Sequence, residues 1–112
     1  MADFYSSESS KNLRRLRQLK PDMFKGFTDF DQAVFADGAL SRKTKELMAI
    51  TAAHVTQCPW CIDAHVNRAK DQGVSDAEIA EAVFVAMAMR AGAAFSHGAI
   101  AMGTAEANSH KS

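Results

Sequence analysis

Apolar residues along this chain recur at helical spacing rather than in strand alternation. Leu13, Leu16 and Leu19 lie three apart and predict a short helix, capped by Ser9 or Ser10 and ended before Pro21. Met23, Phe27, Phe30 and Val34 form one stripe, widened by Phe24 and Phe35. They predict a second helix from about Pro21 to Ala36, stopped by Gly38. Ser41 is placed to cap a third, on which Leu47, Ile50 and His54 share a stripe. Cys58 and Pro59 interrupt that pattern. Proline suits the first turn of a new helix, so a fourth begins near Cys58 and runs through Ala69 to Gly73. Ser75-Asp76-Ala77-Glu78 is a capping box with Val74 and Ile79 as its staple. It opens a fifth helix carrying Ile79, Val83, Ala86, Met87 and Arg90, which Gly92 is expected to break or kink. An Ala/Gly-rich segment up to about Ala107 follows. The pattern predicts a single all-α domain over residues 1–112, with five to six helices. Residues 1–10 and 108–112 are expected to be flexible, and the chemistry-bearing core spans about 41–92.

Composition agrees with helices. Alanine fills 21 positions, whereas Val and Ile together fill ten, and Ala favours helix where β-branched residues favour pleated sheet. Thirteen basic and thirteen acidic residues give a formal net charge of zero, without the basic excess of a nucleic-acid binder. The opening residues carry no apolar signal region, and no run of about 18 apolar residues suggests a membrane span. The expectation is therefore a cytosolic protein with neither nucleic acid nor membrane as partner. Apolar residues make up 47%, much for a domain whose small size limits what it can bury. The surplus predicts a homo-oligomer joined through the Phe-rich segment and the Ala/Gly-rich final segment.

The chemistry concentrates in Glu46 to His65, which reads E-x11-C-P-W-C-x3-H. On a helix starting near Cys58, positions 58, 61 and 65 fall within a stripe of about 60°. Cys58 and Cys61 are close enough for a disulfide. Cys61 and His65 are i, i+4 neighbours. A helix N-terminus stabilises a thiolate, His65 can share a proton with Cys61, and Glu46 is the carboxylate available to orient that histidine. The helix dipole favours Cys58 as the more acidic thiol, whereas proximity to His65 favours Cys61.

Other readings of the same residues exist. A thioredoxin-like site needs a strand before the motif and a cis-proline after it; MAITAAHVTQ reads as helix, and no proline follows Pro59. His54, Cys58, Cys61 and His65 have zinc-ligand composition, but along one helix they span about 16 Å, so only a break at Pro59 could gather them. A zinc- or other metal-binding Cys/His module, or a non-catalytic oligomeric structural protein with core cysteines, is thus the alternative to a redox dithiol. His54 and Trp60 could line the site or simply pack. Arg68 is expected to form an ion pair elsewhere, and Arg90 and His97 have no motif context.

The Glu46, Cys58-Pro59-Trp60-Cys61 and His65 spacing, with the capped helix that follows, resembles the carboxymuconolactone decarboxylase superfamily in its alkylhydroperoxidase D-like branch. The likeness is strongest over the 40 or so residues from Lys45 to Val83 and weaker over roughly 20–105. The resemblance implies an all-helical fold and an obligate homo-oligomer, commonly a trimer or hexamer; separately, with phosphate-loop and dinucleotide signatures absent, no cofactor is expected. It implies a peroxiredoxin-type hydroperoxide reductase: Cys61 attacks the peroxide, Cys58 resolves the sulfenic acid, and Glu46 and His65 relay protons. A lipoyl-bearing or thioredoxin-like protein would return the electrons. The best-studied branch has a second histidine just before the second cysteine, where this chain has Trp60. The decarboxylases that name the superfamily generally lack the CxxC pair, which points away from lactone decarboxylation.

Overall fold

The computed structural model describes residues 7–111. Its helices are α1 (Ser7–Leu19), α2 (Pro21–Phe35), α3 (Arg42–Thr56), α4 (Pro59–Asp71) and α5 (Asp76–Ala107), followed by a 3-10 turn at Ser109–Lys111. No strand occurs among the described residues. The expected flexible arm falls outside the described residues at positions 1–6, as does position 112 at the other end. Residues 7–10 are already the first turn of α1, so Ser9 and Ser10 lie inside that helix rather than capping it, and residues 109–111 are ordered into the 3-10 turn.

Local chemistry explains the boundaries. Ser41 caps α3 by accepting the Thr44 N–H. The α3–α4 junction turns on Gln57, which holds the left-handed conformation at φ 59°. Its N–H and that of Cys58 both point at the Ala53 carbonyl. The α4–α5 junction uses Gly73 at φ 78°, with Gly73 N–H on Lys70 O and Val74 N–H on Ala69 O. This is the paired bonding of a Schellman cap, for which glycine lacks the Cβ penalty. Both halves of the Ser75/Glu78 capping box form.

These turns fold α3, α4 and the first half of α5 into one unit. Its core is Ile50, Ala69, Val74 and Ala82, with Leu47, Val66, Ile79 and Val83 packed around them. Alanines at 82 and 86 let α5 approach α3 closely, and Thr51 Oγ1 donates across the contact to Ala82 O at 2.9 Å. Farther along, Arg90 Nη1 donates to Val55 O at 2.8 Å and so satisfies a carbonyl in the last turn of α3.

Two expectations change. Gly92 does not break α5, which runs 32 residues without interruption; the anticipated sixth helix is its C-terminal half. A mid-helix glycine keeps its backbone hydrogen bonds and costs only about 1 kcal/mol against alanine, and here it is flanked by alanines. Nor is the chain without a segment apolar enough to cross a membrane by length and composition, because α5 passes that test.

Much of the apolar surface stays uncovered. In α2, Met23, Phe27, Phe30 and Val34 are 74%, 58%, 67% and 41% exposed. Along α5, Met87, Met89, Phe95, Ile100 and Met102 face outward. The accessible surface is 8634 Å², whereas a monomeric protein of this mass exposes about 6,000 Å². The radius of gyration is 19.6 Å, against about 13 Å for a compact domain of this length.

Candidate active site

The site is built on the α3–α4 hairpin. Counted from the Gln57 turn, Glu46 lies eleven residues back and His65 eight residues on, about 16 and 12 Å along their helices, so the reversal brings them within a helical turn of each other, which their side chains bridge. His65 Nδ1 and Glu46 Oε2 are 2.7 Å apart. With the carboxylate as acceptor, Nδ1 carries the proton and donates it to Glu46, leaving Nε2 as the basic nitrogen.

Glu46 has no solvent exposure, and the His65 side chain has 15%. The second carboxylate oxygen, Oε1, is buried without a hydrogen-bond partner among the described residues. A half-satisfied buried carboxyl costs about 1–3 kcal/mol. Glu46 is the one buried charged residue among the described residues, in a core otherwise made of Ile50 and small apolar residues.

Cys58 is the N-cap of α4, with Pro59 at the first helical position, where its missing N–H costs nothing. Cys58 and Cys61 form a disulfide with Cα atoms 5.3 Å apart. Cys58 Sγ also accepts the Cys61 N–H at 3.2 Å. His65 lies one helical turn beyond Cys61 on the same face. The structure thus joins Glu46 to His65 and Cys58 to Cys61, with the two pairs one turn apart on α4.

The remaining candidates fall elsewhere. His54 Nδ1 bonds the Ile50 carbonyl of its own helix at 2.8 Å. With His54 and His65 so engaged and the cysteines joined to each other, the four zinc-ligand candidates form no ligand set, and no group of three or more potential metal ligands occurs among the described residues. Trp60 is partly exposed between the cysteines. Arg68 pairs with Asp31 of α2 at 3.7 Å, the ion pair expected away from the thiols. Arg90 serves α3 as described, and His97 is exposed on α5.

One participant was not legible in the motif. Phe35, the last residue of α2, stacks on the His65 imidazole with ring centroids 5.0 Å apart and planes 28° apart. Its apolar spacing predicted only core or interface. No sequence signal distinguishes it from its neighbours on the stripe.

Residues 21–103, from the start of α2 to near the end of α5, match the carboxymuconolactone decarboxylase family. The chain belongs to that family. An uncharacterized protein of the cox locus of Paracoccus denitrificans is 44% identical over 97 residues, covering 87% of each chain. Among solved structures of the family, an apo protein from Legionella pneumophila is 34% identical, with a TM-score of 0.68 over 74% of each chain. A Thermotoga maritima member with a suggested involvement in the antioxidative response is 36% identical, with a TM-score of 0.58, covering 79% of this chain and 91% of that one. A Methanobacterium thermoautotrophicum protein is similar in fold at a TM-score of 0.72, with 28% identity over 76% of this chain and 96% of its own. Within this family, the chain carries its helices and a CxxC disulfide at the start of α4.

Proposed function

We propose that this protein is a dithiol hydroperoxide reductase that cycles through the Cys58–Cys61 disulfide. The carrying observation is the buried Glu46–His65 hydrogen bond set one helical turn from that disulfide. The sulfur of Cys61 attacks the distal oxygen of a hydroperoxide, the O–O bond breaks, and the thiol proton passes through His65 to the departing alkoxide. An alcohol leaves, and Cys61 becomes a sulfenic acid. Cys58 then attacks Cys61, releasing water and closing the disulfide. An external dithiol, on a lipoyl-bearing or thioredoxin-like protein, returns two electrons and two protons by thiol–disulfide exchange.

The Cys61 amide favours negative charge on the Cys58 sulfur, which suits Cys58 to the resolving and leaving roles. With Nδ1 engaged by Glu46, His65 Nε2 is the nitrogen left to act as base, one helical turn from Cys61. Membership of the family and the antioxidative context of the Thermotoga maritima member support the redox reading.

The same proposal includes a cytosolic homo-oligomer, trimer or hexamer. Its support is the uncovered stripe on α2 and the apolar C-terminal half of α5. Subunit contact would cover that surface and would give α5 a role that needs no membrane.

The test is anaerobic thiol counting before and after one equivalent of an organic hydroperoxide. Loss of two thiols with one equivalent of alcohol formed is expected. In Cys61→Ser peroxide should persist, and in Cys58→Ser one turnover should leave a trappable sulfenic acid. The reversed pattern, with Cys58→Ser inert and Cys61→Ser forming the sulfenic acid, would reassign the attack to Cys58. Unchanged thiols in the native protein, with peroxide intact, would end the redox reading.

A further inference from the structure

Helix α2 meets α3 and α4 at few points, and these flank Phe35. Asp31 pairs with Arg68 of α4. Just past the helix end, Lys45 Nζ donates to the Ala36 carbonyl at 2.6 Å, and Asp37 Oδ1 accepts the Arg42 N–H at 2.7 Å. Between these ties sits Phe35. Val34 beside it is 41% exposed, whereas Phe35 is half-buried with its ring flat on His65. A single hydrogen bond to Glu46 fixes one edge of the imidazole but not its tilt about that bond. A flat hydrophobic surface against the ring face removes the remaining freedom and keeps water from the buried bond.

We infer that Phe35 is a positioning residue, which holds His65 so that Nδ1 stays on Glu46 and Nε2 stays free for the proton relay. This rests on the relay role given to His65 above. The Lys45 and Asp37 bonds serve the same end, by pinning the chain immediately after Phe35. A misplaced imidazole loses proton-transfer geometry rather than peroxide binding.

The test compares Phe35→Leu, which keeps apolar bulk without a flat face, with Phe35→Tyr, which keeps the ring. Two readouts are needed on the full chain. The first is the 15N-resolved Nδ1–H resonance of His65. The second is peroxide turnover split into kcat and KM. Phe35→Leu should lose or broaden the resonance and lower kcat by about three- to tenfold with KM unchanged, while Phe35→Tyr should match the native protein in both. A native resonance in Phe35→Leu would overturn the inference, and so would equal losses in the two variants. If the native protein consumes no hydroperoxide, the reductase reading fails, and the resonance alone still decides what Phe35 does for His65.

Discussion

The two ends of α5 belong to different kinds of structure. Its first half packs Ala82 and Ala86 against α3, shares a core with Ile50 and Val74, and is tied to α3 by Thr51. Its second half carries Phe95, Ile100 and Met102 into solvent at 86%, 68% and 68% exposure. The stripe on α2 resembles the second half, although both regions are as apolar as the buried one. Apolarity therefore marks what must be covered without saying by what. In the α3–α4–α5 unit the cover is largely the chain's own small residues, and the disulfide and the Glu46–His65 pair are built on that unit, with Phe35 of α2 laid against His65. The exposed helices have a surface whose burial would add stabilisation only on association.

The sharpest way to break this contrast is to disable the chemistry without touching the packing. Glu46→Gln and His65→Gln should each slow peroxide reduction by about 10²–10⁴-fold, equivalent to about 2.7–5.5 kcal/mol of barrier. Helicity by circular dichroism should remain. Loss of helicity in both would make the pair structural instead.

Packing variants should split the two regions next. Ile50→Ala, at a fully buried position, should cost about 2–5 kcal/mol in urea unfolding at any protein concentration. Phe30→Ala, at an exposed position, should change the unfolding of dilute, dissociated protein by no more than about 0.5 kcal/mol, yet raise the concentration needed for assembly in sedimentation. A mass near 12 kDa for the native protein at micromolar concentration would leave the α2 stripe unexplained.

The smallest effect lies where the compact unit begins its last helix. Ser75→Ala removes the oxygen that accepts the Glu78 N–H at 3.1 Å and should cost about 1 kcal/mol at neutral pH. Glu78 is held below the usual carboxylate range by its bond from the Ser75 backbone N–H, then by the Ser75 side chain and Lys43. Asp76 is lowered likewise by its hydrogen bond and charge pairing with Lys70. Carboxyls depressed in the folded state contribute stability that is fully present above their unfolded pKa and is lost as pH falls through the lower folded value. Native protein should therefore weaken from about pH 5 downward, and Glu78→Gln should flatten part of that slope in urea titrations at successive pH values.

The sequence by itself determined what depends on neighbours along the chain. The α3 and α5 caps at Ser41 and Ser75, the restart of helix at Cys58-Pro59 and the one-turn relation of Cys61 to His65 all follow from hydrogen bonds within four residues. The redox pair was legible for that reason, and Glu46 was nameable as a candidate partner. Its complete burial and its bond to a residue 19 positions away were not, because they depend on Gln57 taking a left-handed conformation for which glycine is the usual signal. Continuity of α5 through Gly92 was likewise decided by tolerance of a small local cost within a long, alanine-flanked helix. Phe35 shows the limit most clearly. Five other residues of α2 share its apolar pattern, and only the packing of α2 against α4 selects the one whose ring meets His65. Helical periodicity records that a face avoids water; which surface that face meets is settled by the turns and contacts of the assembled chain.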